Sequence, residues 1–112
     1  MRVGRNENMA KFRAEKISYE KQDQLMKDFC EILTKLKTAE NVYDFLKDLL
    51  NRQERLMLIR RLLIAEMLED DMSYQEIINK MKCGTTTIAR VARWLNFGRQ
   101  GYKNAISLKK KK

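Results

Sequence analysis

The sequence predicts an all-α protein. Proline is absent from its 112 residues and glycine occurs only four times, so little in the chain interrupts a helix. Apolar residues recur at spacings of three and four, and no alternating stretch bounded by turn residues suggests a strand. With 44% apolar residues, the chain supports one domain, or one subunit of an assembly, around a core of modest size.

Residues 1–17, MRVGRNENMAKFRAEKI, hold no sustained apolar face and are expected to form a flexible basic arm. A helical domain spans 18–108. In its first helix Tyr19, Leu25, Met26, Phe29, Ile32, Leu33 and Leu36 make an apolar stripe. Thr38 caps a second, in which Val42, Phe45, Leu46, Leu49 and Leu50 form a wide stripe that must bury against something. Asn51, with Glu54 three residues on, has the spacing of a capping box and opens a third helix from Arg52 to about Glu69. The centre of that helix, LMLIRRLLIAEML, is apolar on nearly every side. Such a helix has to be surrounded, and a second subunit is the simplest supply. Arg60 and Arg61 interrupt the run, and each needs solvent or a counter-charge.

Residues 73–97, SYQEIINKMKCGTTTIARVARWLNF, read as two helices across a tight turn. Ser73 and Glu76 form a second capping box. Ile77 and Met81 point inward, and Cys83-Gly84 ends the helix, with glycine available for a left-handed backbone. Thr85 or Thr86 caps the next helix, where Ile88, Val91 and Leu95 form the buried stripe and Trp94 lies at its edge. This is the pattern of a helix-turn-helix, whose second helix is free to enter a major groove. Threonine offers a hydroxyl to base edges and a methyl to thymine, while arginine can fork onto guanine or phosphate. Gly98 and Gly101 end the second motif helix, Tyr102 to Leu108 forms at most a short amphipathic helix, and residues 109–112 are a solvated lysine tail.

The net charge of +9 is unevenly distributed. From Ile77 onward the chain holds ten basic residues and no Asp or Glu, whereas fourteen basic residues face fifteen acidic ones before it. The positive field therefore lies on the motif and on the C-terminal residues beyond it, where a polyanion would dock. Cys30 and Cys83 stand in no metal-ligand spacing and histidine is absent, so the thiols are expected to be reduced and buried, with no metal site. No apolar run approaches about eighteen residues, and the basic start leads into more charge rather than a signal peptide. A cytoplasmic protein with no membrane partner is expected. No glycine-rich phosphate loop or nucleophile-base pair is recognisable, so no catalytic residues are assigned and an enzyme is not expected.

Four segments carry a family resemblance: the RQER-L-x-x-R pattern from Arg52 to Arg60, MSYQEI at Met72 to Ile77, GTTTIARV at Gly84 to Val91, and WLNFGRQGY at Trp94 to Tyr102. In these, from about Ser18 to Ile106, the chain resembles the Trp repressor superfamily, and more closely its YerC/YecD branch. The resemblance implies an intertwined, all-helical homodimer with helix-turn-helix heads for successive major grooves. It places Thr85, Thr86, Thr87 and Ala89 at DNA-contacting positions, while Gln75 and Ile78 replace basic residues on the first motif helix. Lys82, Arg90 and Arg93 complete the expected DNA-binding set. Arg60 and Arg90 match the two arginines that hold the amino acid in tryptophan-responsive members. Val91 and Trp94 replace a glycine and a serine of that pocket, and Trp94 is expected to fill it. Free tryptophan is therefore not an expected ligand; another small effector would have to fit Arg60, Arg90, Val91 and Trp94.

The resulting expectation is a dimeric, sequence-specific, double-stranded-DNA-binding transcriptional regulator, a repressor acting without tryptophan. The alternative is an RNA- or protein-binding basic helical adaptor that does not read sequence.

Overall fold

A computed structural model describes residues 16–110; most of the 1–17 arm and the last two lysines lie outside the described residues. Six helices succeed one another there: α1 Tyr19–Leu36, α2 Ala39–Leu49, α3 Arg52–Glu69, α4 Tyr74–Met81, α5 Thr85–Phe97 and α6 Gly101–Lys110.

Local hydrogen bonds account for most helix starts. The Lys21 amide donates to Ser18 Oγ (3.1 Å) and the Asn41 amide to Thr38 Oγ1 (3.1 Å). At Asn51 both halves of a capping box form, each bond 2.9 Å: the Glu54 amide donates to Asn51 Oδ1, and the Asn51 amide to Glu54 Oε1. These side chains satisfy amides that have no partner inside the helix. Arg55 supports the preceding helix end, donating from Nη1 to the Leu50 carbonyl at 2.6 Å.

The chain divides into two compact units at Phe45 and Leu46, within α2. In the first, the Phe29 and Phe45 rings lie 6.1 Å apart at 41°, and α1 has no buried residue. The second unit holds the core: Ile64 and Ala65 from α3, Ile77 from α4, Ile88, Val91 and Leu95 from α5, and Ile106 from α6. All seven are at most 4% exposed. The first half of α3 is different, with Leu56, Leu58 and Ile59 each about half exposed.

Three expectations need correction. Cys30 is exposed and Cys83 half-buried, because α1 finds no cover along that face and the turn carrying Cys83 sits at the core's edge. Tyr102 to Leu108 belongs to a ten-residue helix that continues to Lys110, since Ile106 is anchored in the core. The lysine run begins inside that helix: Lys109 and Lys110 are exposed but helical, with Lys109 Nζ 2.9 Å from Glu66 and Lys110 Nζ 3.7 Å from Asp70. The C-terminus of α3 carries acidic residues where a helix dipole favours cations, and these lysines supply them.

Candidate nucleic-acid interface and arginine-lined cavity

The two-helix head is α4 and α5. Ser73 opens α4 through a complete capping box: the Glu76 amide donates to Ser73 Oγ (3.1 Å) and the Ser73 amide to Glu76 Oε1 (2.9 Å). The backbone and hydroxyl of Ser73 hold the Glu76 carboxyl below its usual range, with Lys80 adding to the effect. Ile77 then meets Ile88, Val91 and Leu95 in the shared core, with Met81 and Cys83 partly buried against them. This packing sets the angle between the helices and turns the opposite face of α5 outward.

The turn departs from expectation. Lys82, not glycine, takes the left-handed conformation (φ 53°, ψ 46°), because α4 ends one residue before it, at Met81. Gly84 is extended (φ −95°, ψ 171°) and precedes α5 without any side-chain cap. Thr85, Thr86 and Thr87 therefore form the first turn itself, and neither Thr85 nor Thr86 is the cap. At the other end Gly98 closes α5, its amide donating to the Trp94 carbonyl at 3.0 Å. A Cβ on Gly98 would collide with that oxygen.

Gln75, Lys82, Thr85, Thr86, Ala89, Arg90 and Arg93 are exposed on the head, whereas Thr87 is half-buried. They share the head, with Gln75 on α4, Lys82 in the turn and the others along α5. The Arg93 guanidinium lies 5.7 Å from the centroid of the Trp94 ring, within cation-π range. No residue from Ile77 onward carries a carboxylate side chain.

Behind this face lies a cavity of about 260 Å³. Met57, Arg60 and Arg61 of α3 form one wall, Thr87, Arg90, Val91 and Trp94 of α5 another, and Tyr102 of α6 completes it. The four effector-pocket residues proposed from the sequence are thus brought together. Trp94 does not fill the space, however. It is 55% exposed, because Val91 and Leu95 take the inward positions of α5 and leave the indole on the rim. Arg61, Met57, Thr87 and Tyr102 are pocket residues that the sequence pattern did not single out. A signal for Arg61 existed in its place beside Arg60, interrupting an apolar run. Among the described residues no carboxylate lies within ion-pair distance of Arg60, Arg61 or Arg90.

A helical chain with a two-helix head whose second helix presents a polar, basic face has the architecture of helix-turn-helix proteins. The chain belongs to the Trp repressor family: the family model for the Trp repressor protein matches residues 24–110. It is 38% identical over 71 residues to the uncharacterized protein YerC of Bacillus subtilis (strain 168), an alignment covering 63% of this chain and 68% of YerC. It is also similar to the crystal structure of a TrpR like protein from Eubacterium eligens ATCC 27750. That match has a TM-score of 0.72 and 32% identity, and covers 79% of this chain and 91% of the other. Among the described residues no helix is long and apolar enough to cross a membrane.

Proposed function

We propose that the protein is a homodimeric, sequence-specific DNA-binding regulator that represses transcription by occluding its site. The observation that carries this reading is the first half of α5, where Thr85, Thr86 and Arg90 are exposed together within a stretch that carries no carboxylate side chain from Ile77 onward. Thr85, Thr86, Thr87, Ala89 and Arg90 read base edges; Gln75, Lys82 and Arg93 contact the phosphate backbone on either side. Family membership supports the DNA-binding class. The half-exposed apolar side chains of α3 support a second subunit, which would bring two heads to successive major grooves.

Binding proceeds without free tryptophan. Val91 adds a branched side chain to the cavity lining where tryptophan-responsive members have glycine. Operator affinity should not change when millimolar L-tryptophan is added. A tenfold gain, about 1.4 kcal/mol of coupling, would refute this part of the reading.

Selection from random duplexes followed by footprinting is expected to yield a palindromic site. Thr86→Ala should then lower the ratio of specific to random-duplex affinity by about 1–3 kcal/mol at fixed salt. Equal binding to all duplexes, or equal competition by RNA, would favour an adaptor that does not read sequence.

A further inference from the structure

Arg93 is held by an aromatic ring rather than by a carboxylate. Among the described residues no Asp or Glu lies within ion-pair distance of it, and its Cζ instead sits over the Trp94 ring, 5.7 Å from the centroid. Consecutive residues of a helix point about 100° apart and do not face each other. The contact therefore exists only because the arginine side chain folds back along the helix surface toward the ring. Arg90, three residues earlier, is a surface neighbour of like charge and disfavours the opposite orientation. Trp94 in turn borders the arginine-lined cavity on one side and, on another, a groove shared with Gly98, Tyr102 and Ala105. The start of α6 thus backs the indole, while 55% of the residue stays exposed.

We propose that Trp94 is a positioning residue for DNA binding: its ring face fixes the Arg93 guanidinium where a backbone phosphate passes. This rests on the reading of α5 as a DNA-contacting helix. Arg93 lies about 12 Å along α5 from Thr85, and the major groove is about 12 Å wide. A helix that sets Thr85 and Thr86 on base edges therefore carries Arg93 to the backbone at the groove's rim. A guanidinium that meets a ring through its face keeps its N–H donors, which lie in its plane, free to fork onto a phosphate. A free arginine loses rotamer freedom when it pairs with phosphate, whereas one already held by a ring has lost it before DNA arrives.

Fluorescence anisotropy of the full chain with a labelled, mixed-sequence duplex of roughly thirty base pairs would measure affinity over a range of salt concentrations. Phosphate contacts do not depend on sequence, so no operator is needed, and circular dichroism checks helix content. Arg93→Gln should weaken binding and lower the slope of log K against log salt by about 0.9 per copy. Trp94→Leu, which keeps apolar bulk without a π face, should weaken binding about two- to fivefold per head, and Trp94→Phe should recover at least half of that loss. In the Arg93→Gln background, Trp94→Leu should change affinity less than twofold, because the ring then has no cation to hold. If Trp94→Leu loses helix content, Trp94→Met takes its place. No binding of any duplex by the wild type would overturn the DNA reading and the proposal with it. With wild-type binding intact, the proposal alone is overturned if Trp94→Leu binds as tightly as the wild type, or if Trp94→Phe is no better than Trp94→Leu. It is equally overturned if the two losses add in the double variant, or if Arg93→Gln leaves the salt slope unchanged.

Discussion

Replacing Ile59 by alanine tests the homodimer at a turn of α3 that leaves four consecutive apolar side chains partly uncovered. Leu56, Met57, Leu58 and Ile59 occupy one turn of α3 and are 52%, 37%, 49% and 53% exposed. Four consecutive helical residues point in all directions around the axis, so no rotation of α3 within one chain could bury them all. Fully burying an isoleucine side chain contributes about 1.5–3 kcal/mol. About half of Ile59 is already covered, so the partner's share is about 1 kcal/mol. In a two-fold dimer the substitution occurs twice, which makes the loss about 2 kcal/mol, roughly thirtyfold in the dimer Kd. Sedimentation equilibrium over nanomolar to micromolar concentrations would measure it, and the wild-type unfolding midpoint should rise with concentration. Alanine favours helix and the core residues are untouched, so helix content should persist wherever the variant is dimeric. A folded wild-type monomer of 13.4 kDa at micromolar concentration, or an unchanged Kd for Ile59→Ala, would refute the reasoning.

The remaining predictions concern stability. Ser73→Ala removes the acceptor for the Glu76 amide and should cost about 1 kcal/mol, read from thermal or urea melts; no loss would mean that the head is held by its core alone. Because Glu76 ionises below its ordinary range in the folded chain, its contribution is complete above that range and lost as pH falls through it. The melting-temperature gap between wild type and Glu76→Gln should therefore close on acidification, and a gap independent of pH would count against the capping carboxylate. Lys82→Gly relieves a left-handed non-glycine residue and should stabilise by about 1 kcal/mol; a lower melting temperature would contradict the turn geometry. Lys109→Ala breaks the exposed pair with Glu66 and should cost under about 1 kcal/mol at low salt and nothing near 1 M salt; a loss that persists at high salt would assign Lys109 a packing role.

The sequence by itself determined the all-helical fold, the starts of the first four helices and the buried stripe of the head. Ser18, Thr38, Asn51 and Ser73 each act on an amide three residues ahead, and an interaction that short is written in adjacent letters. Ile77, Ile88, Val91 and Leu95 are likewise legible, because helical spacing alone places them on one side. The carboxylate-free stretch from Ile77 onward is composition, and no fold is needed to see it. Only the tertiary structure decided where Trp94 and Arg61 go. Each lies near the border of an apolar stripe, and the rotation of α5 against α3, set by contacts between residues far apart in the chain, puts both at one cavity. The same holds for Lys109 and Lys110, which close on Glu66 and Asp70 from the far end of the chain. The turn residue with the left-handed backbone was also decided there. Core packing of Ile77 and Ile88 sets where α4 must stop, and the stop falls on Lys82 even though a glycine stands two residues later.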